Sequence, residues 1–302
     1  MPSILHSVMF TVDIKFIQPL TITIFSLLNS NAQLHFKIYL VTDIEEESRF
    51  DSLRRLIENN GSQLIIKRIS KDIFSRQKIN HHFSPANYYR LQAAELVPED
   101  KVLYFDSDLI IQGSILNLLE TDLENHLLAA VADPQIMDFD RLELNAEQGY
   151  FNSGVMMLNL KVWRELNLGI KVLDYCMTHP KRIQYADQCG LNAVLKGDWL
   201  RLHPRWNVMT SFYNPKHAAS ATRYFGSEFN FAVQNPIIIH FSDSPKPWEL
   251  RNKHPLKKLY WSYLNQTEYK RRFPEDLTIS NLIRWALPQR LKMEYRKLQL
   301  NN

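Results

Sequence analysis

The segment KVLYFDSDLII, residues 101–111, carries two carboxylates, Asp106 and Asp108, within an otherwise apolar run. Two aspartates in apolar surroundings repel each other and lose hydration, so they require a compensating charge. Side chains two residues apart at the end of a strand point to the same side, so both can reach one ion. Hard oxygen ligands suit Mg²⁺ or Mn²⁺, which also bind substrate phosphates. Because D-x-D also occurs in surface turns, a turn remains the alternative.

A third ligand and a cation occur together in NPIIIHFSDSPKPW, residues 235–248. His240 ends an apolar strand, and Lys246 follows in a proline-braced loop beside Trp248. An imidazole that completes the aspartate pair, with an ammonium group near a diphosphate, would form a coherent site. For His240 taken alone, a core histidine hydrogen-bonded to the backbone is the simpler interpretation.

Polar residues also stand at the start of an apolar strand in YFNSGVMMLNL, residues 150–160. Asn152 and Ser153 could hold hydroxyl groups there, and Gly154 permits close approach of a ligand. A plain turn is the alternative for the same three residues.

The segment QYADQCGLN, residues 184–192, places Asp187 and Gln188 at a predicted helix start. One interpretation makes Asp187 only the N-cap of that helix. The functional interpretation has Asp187 bind a hydroxyl group of an acceptor or sugar, while Gln188 faces the reacting carbon.

Strand-like and helix-like segments alternate through the first 200 residues. The predicted strands are SVMFTVD, FKIYLVTD, QLIIKRI, KVLYF, LLAAVAD, YFNSGVMMLNL and IIIHF, and the predicted helices cover 18–30, 45–59, a segment opened by Ser84-Pro85, 161–178 and 187–196. This alternation predicts an α/β fold whose mostly parallel sheet is covered by helices on both faces. Neither GxGxxG nor GxxxxGK[ST] occurs, so a dinucleotide oxidoreductase and a P-loop phosphotransferase lose their usual support.

Composition separates an acidic body from a basic tail. The net charge of the 302 residues is +4, but residues 251–302 carry twelve Lys/Arg against four Asp/Glu. We therefore predict one domain over 1–250 and a basic, partly helical region over 251–302. The two cysteines give no disulfide framework and fit a reducing cytoplasm. No apolar run approaches the roughly 20 residues of a membrane span.

The tail shows helical periodicity. From Ile279 to Leu287 apolar residues recur at the spacing of one helix face, which Pro288 ends. Leu291 and the residues after it repeat the spacing with basic residues between them. Such a segment either lies on an anionic membrane surface or packs back onto the domain over 1–250.

Taken in order, the segments resemble the retaining family-8 glycosyltransferases, which include bacterial lipopolysaccharide galactosyl- and glucosyltransferases and glycogenin. The resemblance covers roughly residues 6–250 and rests on the first strand, YYRL, YFDSDLI, AAVADP, YFNSGVMMLNL, YADQCGLN and HFSDSPKPW. It implies a GT-A nucleotide-sugar-binding fold, Rossmann-like with a mixed sheet. It also implies transfer of a hexose from a UDP-sugar with retention at the anomeric carbon.

The resemblance implies a metal and a phosphate site. Asp106, Asp108 and His240 match the metal ligands of the family, with Mn²⁺ expected and Mg²⁺ as the alternative. Lys246 matches the lysine on the diphosphate. The sequence departs from the family where Asp243 and Ser244 replace a common Gly-Pro and where Lys15 replaces a common asparagine. By this resemblance, Asp243 would stand near the diphosphate, where a carboxylate is repulsive unless it turns away, so the backbone-amide contact to phosphate is in question. The contacts to uracil or ribose would differ at Lys15.

The remaining roles follow from the same resemblance. Gln188 matches the glutamine under the reacting face of the sugar, and Asp187 is the second catalytic candidate. Asp13 falls where the family holds uracil, and Arg90 where it approaches the donor sugar. The residues implied to bind substrate are Asp13, Arg90, Ser107, Asp133, Asn152, Ser153 and Lys246.

The leading hypothesis is a hexosyltransferase that adds galactose or glucose to lipopolysaccharide or a related glycolipid in the cytoplasm, at the inner face of the membrane. A glycogenin-like self-glucosylating initiator is a close variant. A protein that binds nucleotide sugars or glycans without turnover is the alternative of another class. Nucleic-acid binding has no motif behind it, and the acidic body weakens it further.

Overall fold

Apolar strands build a seven-stranded sheet in the order β3-β2-β1-β4-β7-β6-β8, and short strands build a second sheet in the order β5-β10-β9. The computed structural model describes residues 4–70 and 85–286, with side chains to residue 282. The strands are β1 Leu5–Val12, β2 His35–Thr42, β3 Gln63–Arg68, β4 Lys101–Phe105, β5 Leu109–Ile111, β6 Leu128–Ala132, β7 Phe151–Asn159, β8 Leu200–Arg201, β9 Val208–Met209 and β10 Ile238–His240.

The strand directions confirm the predicted mixed, mostly parallel sheet. β3, β2, β1 and β4 run parallel, and β6 is parallel to β8, whereas β7 is antiparallel to both β4 and β6. The carboxyl ends of β1 and β4 are neighbours in this sheet, followed in the chain by Asp13 and Asp106. Ligands of open α/β sheets bind beyond such carboxyl ends.

Helices connect the strands. They are α1 Ile17–Ser30, α2 Asp51–Asn59, α3 Ala86–Tyr89, α4 Ala93–Leu96, α5 Leu116–Leu119, α6 Leu160–Leu166, α7 Leu168–Thr178, α8 Ala186–Leu195, α9 Pro215–Phe225, α10 Ser227–Gln234, α11 Lys257–Leu264 and α12 Ile279–Ala286. The predicted helix over 161–178 is divided at Asn167, whose positive φ of 50° closes α6. The predicted helix over 45–59 begins with a 3₁₀ turn and becomes α-helical only at Asp51.

The hydrophobic core lies on both faces of the main sheet. Successive residues of β4 point to opposite faces of the sheet, since Tyr104 belongs to one buried cluster and Phe105 to the other. The same alternation divides Met9 from Phe10 in β1. All four side chains are fully buried, which is why these strands read as continuous apolar runs rather than as alternating ones.

The second sheet sets the position of His240. β10 runs antiparallel to β5, and its last residue, His240, pairs with Leu109. β10 also runs parallel to β9, where His240 pairs with Met209. Since Leu109 directly follows Asp108, this register brings the imidazole next to the aspartate segment.

The chain divides into two compact units, the first ending at His240 and the second beginning at Phe241. In the second unit Tyr260 of α11 is buried, with ring centroids 5.6 Å from Trp248 and 6.0 Å from Phe241. The helix predicted from Ile279 is confirmed as α12, and its predicted continuation beyond residue 286 lies outside the described residues. A domain boundary at residue 250 stays a prediction. Within the described ranges, every helix is too short or too polar to span a bilayer.

Candidate active site

The two sheets bring both aspartates of the opening segment to one place. Asp106 follows β4 directly, and its backbone N–H donates to the Gly154 carbonyl of β7 at 2.8 Å. Asp108 directly precedes β5, the partner of β10. The turn between them is fixed by Ser107, whose hydroxyl donates to the Thr11 carbonyl at 2.8 Å. Thus the residues that flank Ser107 are held by backbone pairing on either side.

Asp106, Asp108 and His240 form a candidate metal site. Each offers a ligand atom, and these atoms lie within 4.8 Å of one another. The His240 Nε2 lies 3.4 Å from Asp108 Oδ1 and 3.7 Å from Asp106 Oδ2. The other ring nitrogen, Nδ1, lies 3.0 Å from the Asn207 side-chain oxygen, so the expected alternative of a backbone-bonded histidine is wrong. Two carboxylates and one imidazole fit Mn²⁺ or Mg²⁺.

Arg90 compensates the charge of two carboxylates, the partly buried Asp106 and the buried Asp187. It lies in a 3₁₀ turn after α3 and is only 3% exposed. Its Nη1 is 3.0 Å from Asp106 Oδ1, and its Nε is 3.1 Å from Asp187 Oδ2. Its guanidinium also stacks 4.5 Å from the centre of the Tyr104 ring. The guanidinium therefore links the candidate metal site to the start of α8.

Burial and neighbouring charges together shift the pKa values of Arg90 and Asp187. Burial alone would lower the pKa of Arg90, but the Asp106 and Asp187 carboxylates raise it above its ordinary value. Burial, opposed by the Arg90 guanidinium and assisted by the Asp106 carboxylate, raises the pKa of Asp187 to about 7. Asp187 lies in the first turn of α8, whose N-cap is Tyr185, so the interpretation of Asp187 as an N-cap is wrong.

Gln188 is held by a dense set of hydrogen bonds. Its Oε1 accepts from the Asn152 side-chain amide at 3.0 Å and from the Ser153 backbone N–H at 3.1 Å. Its Nε2 donates to the Tyr150 hydroxyl at 3.2 Å. The Ser153 carbonyl in turn accepts from Arg90 Nη1 at 2.7 Å. The structure therefore joins three predicted site residues, Asn152, Ser153 and Gln188, in one buried network. The alternative of a plain turn at Asn152 and Ser153 is wrong, because both residues lie in β7.

Two further predicted residues lie at strand ends of the first unit. Asp13 follows β1, is half-buried, and accepts a hydrogen bond from the Lys15 backbone N–H at 2.9 Å. Asp133 follows β6 and is 3% exposed, with its backbone N–H donating to the Tyr150 carbonyl at 2.8 Å. A cavity of about 320 Å³ opens on Asp133, and Arg223 of α9 lines it too.

Lys246 belongs to the second unit. Its Nζ donates to the carbonyls of Phe241 at 2.7 Å and Ser242 at 3.2 Å, and its backbone N–H donates to Glu249 Oε1 at 2.7 Å. These bonds curl the loop that the prolines were predicted to brace. Its role at a diphosphate stays a prediction.

Sequence reasoning missed several residues that build the site. Tyr104 donates its hydroxyl to Asp106 Oδ1 at 2.7 Å, and Tyr150 and Asn207 contact Gln188 and His240 respectively. Tyr104 gave a usable signal, because it lies two residues before Asp106 on the same side of a strand. Asn207 gave none, since it stands in a short segment without periodicity.

The sequence of the protein also matches a known protein family. The sequence matches the family named Glycosyl transferase family 8 over residues 7–253. The protein belongs to this family. It is therefore a glycosyltransferase of the retaining GT-A class, as the segments of the sequence predicted.

Similar proteins align with most of the chain. General stress protein A of Bacillus subtilis is 28% identical over 252 residues, covering 80% of this chain and 87% of its own. The lipopolysaccharide 1,2-glucosyltransferase of Escherichia coli is 28% identical over 276 residues, covering 89% and 80%. The crystal structure of galactosyltransferase LgtC with donor and acceptor sugar analogs matches with a TM-score of 0.78 at 22% identity, covering 89% of this chain and 98% of that one. This last likeness shows the GT-A fold.

Proposed function

We propose that this family-8 enzyme is a hexosyltransferase that moves galactose or glucose from a UDP-sugar to a glycan acceptor of the lipopolysaccharide or lipooligosaccharide type. The observation that carries the proposal is that ligand atoms of Asp106, Asp108 and His240 converge on one place. A chain of hydrogen bonds through Asn207 and Asn152 connects His240 to Gln188. The similarity to the lipopolysaccharide 1,2-glucosyltransferase of Escherichia coli supports the acceptor class.

A divalent cation, Mn²⁺ in our proposal, would be held by Asp106, Asp108 and His240 and would offset charge on the departing diphosphate. Arg90 orients Asp106 for this task through the 3.0 Å contact between its Nη1 and Asp106 Oδ1. We assign Lys246 to the diphosphate as well, where an ammonium group would add positive charge. Asp13 is assigned to uracil and Arg90 and Ser107 to the neighbourhood of the donor.

The same network supports a front-face attack by the acceptor hydroxyl. Gln188 Oε1 accepts hydrogen bonds from Asn152 and Ser153, which fix the side chain and direct its dipole. A fixed amide oxygen stabilises positive charge on an oxocarbenium-like sugar carbon. Asp187 and Asp133 would bind sugar hydroxyl groups.

The cavity beside Asp133 is where we place the acceptor. Its 320 Å³ suits roughly one sugar residue, and its walls combine apolar side chains with the buried Asp133 carboxylate. Tyr150 lines the same cavity and receives the hydrogen bond from Gln188 Nε2. An acceptor bound there would therefore approach the glutamine proposed to face the reacting carbon.

The decisive experiment incubates the purified protein with a panel of UDP-sugars, with and without Mn²⁺, and follows UDP release. We expect Mn²⁺-dependent release from one sugar, reduced at least about 100-fold in Asp108→Ala. Asp100→Ala is the matched control, because this aspartate pairs with Arg164 at the surface and its side chain is 77% exposed. Release that persists in Asp108→Ala would contradict the metal site.

The remaining outcomes discriminate between the hypotheses. No release, even with a glycolipid extract, together with Mn²⁺-dependent UDP binding would favour a nucleotide-sugar-binding protein without turnover. Sugar incorporated into the protein itself would favour a glycogenin-like initiator. In an active preparation, near-native turnover of Gln188→Ala would contradict the role of Gln188.

We further propose that the second unit attaches the enzyme to an anionic membrane at its cytoplasmic face. Phe273 is 75% exposed and Ile279 is 79% exposed, and the basic residues 270–272 directly precede Phe273. Apolar side chains flanked by basic ones bind anionic lipid surfaces.

Sedimentation with vesicles tests this attachment. Binding to phosphatidylglycerol vesicles but not to phosphatidylcholine vesicles is expected, with the double variant Phe273→Ser, Ile279→Ser reducing it at least about tenfold. Ile170→Ser is the control, because Ile170 is also exposed, at 54%, but lies in the first unit. Equal losses in both variants would refute the assignment to the second unit.

A further inference from the structure

Two backbone N–H groups fix the direction of a buried chain of side-chain amides. The Gly154 N–H donates to Asn152 Oδ1 at 3.0 Å, and the Ser153 N–H donates to Gln188 Oε1 at 3.1 Å. A backbone N–H can only donate, so each of these contacts identifies an oxygen without reference to amide orientation. Asn152 consequently presents its oxygen to Gly154 and its Nδ2 to Gln188.

The assignment propagates from Asn152 to His240. Asn207 lies 2.8 Å from the Asn152 oxygen, so the group that meets it must be the Asn207 amide Nδ2. The other end of Asn207 is then an oxygen, and it lies 3.0 Å from His240 Nδ1. An oxygen can only accept, so Nδ1 must carry the hydrogen. For a neutral imidazole, this leaves the Nε2 lone pair directed at Asp106 and Asp108.

We propose that Asn207 is a positioning residue that fixes the tautomer and ring orientation of His240, so that Nε2 is presented as a metal ligand. Asn207 is fully buried, which excludes water as a competing partner, and it immediately precedes β9, the strand paired with β10. Asn207 itself would not touch metal or substrate. The inference rests on the metal site of the proposed function.

The chain of amides has a second consequence. It runs from His240 through Asn207 and Asn152 to Gln188, and every member is buried. A change of orientation at Asn207 would leave a donor facing a donor or an acceptor facing an acceptor at two contacts, which is costly in a dry interior. The arrangement in which every contact joins a donor to an acceptor is therefore the one that presents Nε2 to the aspartates.

The first test needs no variant. Nitrogen-15 NMR of histidine-labelled, metal-free protein at pH 8 reports which ring nitrogens carry hydrogen, and His240→Asn identifies the signals of His240 among those of the ten histidines. We expect a protonated Nδ1. An Nε2–H tautomer with a bare Nδ1 would overturn the proposal, whatever the enzyme transfers.

The second test measures Mn²⁺ affinity by electron paramagnetic resonance of the free ion. Asn207→Ala should weaken binding about 10- to 100-fold, the usual effect of losing the partner of a metal-bound histidine. Asn192→Ala is the matched control, because the side chain of this buried asparagine hydrogen-bonds to backbone groups of Phe151 and Gln188. It should cost stability and leave the Mn²⁺ affinity unchanged.

The outcomes separate this inference from the proposed function. Native affinity in Asn207→Ala, or an equal loss in Asn192→Ala, would overturn the positioning role. If the native protein itself bound no Mn²⁺, the proposed metal site would fail, while the NMR result would still decide the tautomer. If Asn207→Ala did not fold, the NMR measurement on the native protein would decide alone.

Discussion

Gly154 is the residue at which the candidate site tolerates least added volume, and Gly154→Ala tests the geometry most directly. A methyl group at this position would overlap His240 Cε1 and would lie 2.7 Å from His240 Nδ1 and 2.9 Å from Asp106 Oδ2. All of these atoms belong to two of the three candidate metal ligands. The close approach explains why a glycine stands within an apolar strand at this point.

The size of the effect follows from these distances. To reach an ordinary contact of 3.4 Å, His240 Nδ1 would have to retreat by about 0.7 Å. Metal–ligand distances tolerate only about 0.2 Å, so such a displacement would detach the imidazole or the Asp106 carboxylate. We expect Mn²⁺ affinity to fall at least about tenfold and overpacking to cost about 1–3 kcal/mol of stability.

The assay compares Mn²⁺ binding and urea unfolding of Gly154→Ala with those of Gly113→Ala. At Gly113 the added methyl group would meet Ile237 Cγ2 at 3.4 Å, an ordinary contact. This control should therefore behave like the native protein in both measurements. Native Mn²⁺ affinity in Gly154→Ala would refute the reasoning, because it would mean that the imidazole beside Gly154 is not a ligand.

Two further predictions concern charge and pH. Arg90→Met should lower the free energy of unfolding by about 3–5 kcal/mol, because Asp106 and Asp187 lose a buried partner. The control Arg54→Met should lower it by less than about 1 kcal/mol, because the partners of Arg54 are exposed. Equal losses of both variants in urea unfolding would contradict this prediction. Burial lowers the pKa of His254 to about 4, so the unfolded chain takes up the proton first and stability falls as the pH drops from about 6.5 towards 4. Between pH 7 and pH 5 this loss should amount to about 2 kcal/mol and should disappear in His254→Asn; an unchanged pH dependence in the variant would refute it.

Strand positions were predictable because burial leaves a mark on composition. KVLYF is confirmed as β4 to the residue, and LLAAVAD and YFNSGVMMLNL contain β6 and β7. Their directions were not predictable, because a strand covered on both faces is apolar whether its neighbour is parallel or antiparallel. This is why the antiparallel insertion of β7 between β4 and β6 left no sign in the sequence.

Short elements were missed for another reason. β8 and β9 have two residues each, too few to show a period of two, and α9 and α10 fall in a segment for which no helix was predicted. Asn207 adjoins β9 and so escaped notice, although it contacts the ring of His240. Long strands with chemistry at their ends could be located from sequence, whereas residues that orient those groups through a fold-dependent contact could not.

Charge balance explains why a hydrophobic strand ends in two aspartates. Three carboxylates, those of Asp106, Asp108 and Asp187, lie near the Arg90 guanidinium. When all three are ionised, the single positive charge of Arg90 leaves two negative charges unbalanced. A neutral His240 adds a lone pair but no positive charge. Burial raises the pKa of Asp187, and the neighbouring Asp106 carboxylate adds to that rise. A divalent cation between Asp106, Asp108 and His240 would supply the two missing charges where the ligand atoms already converge, so the strand can end in carboxylates without an unpaired buried charge.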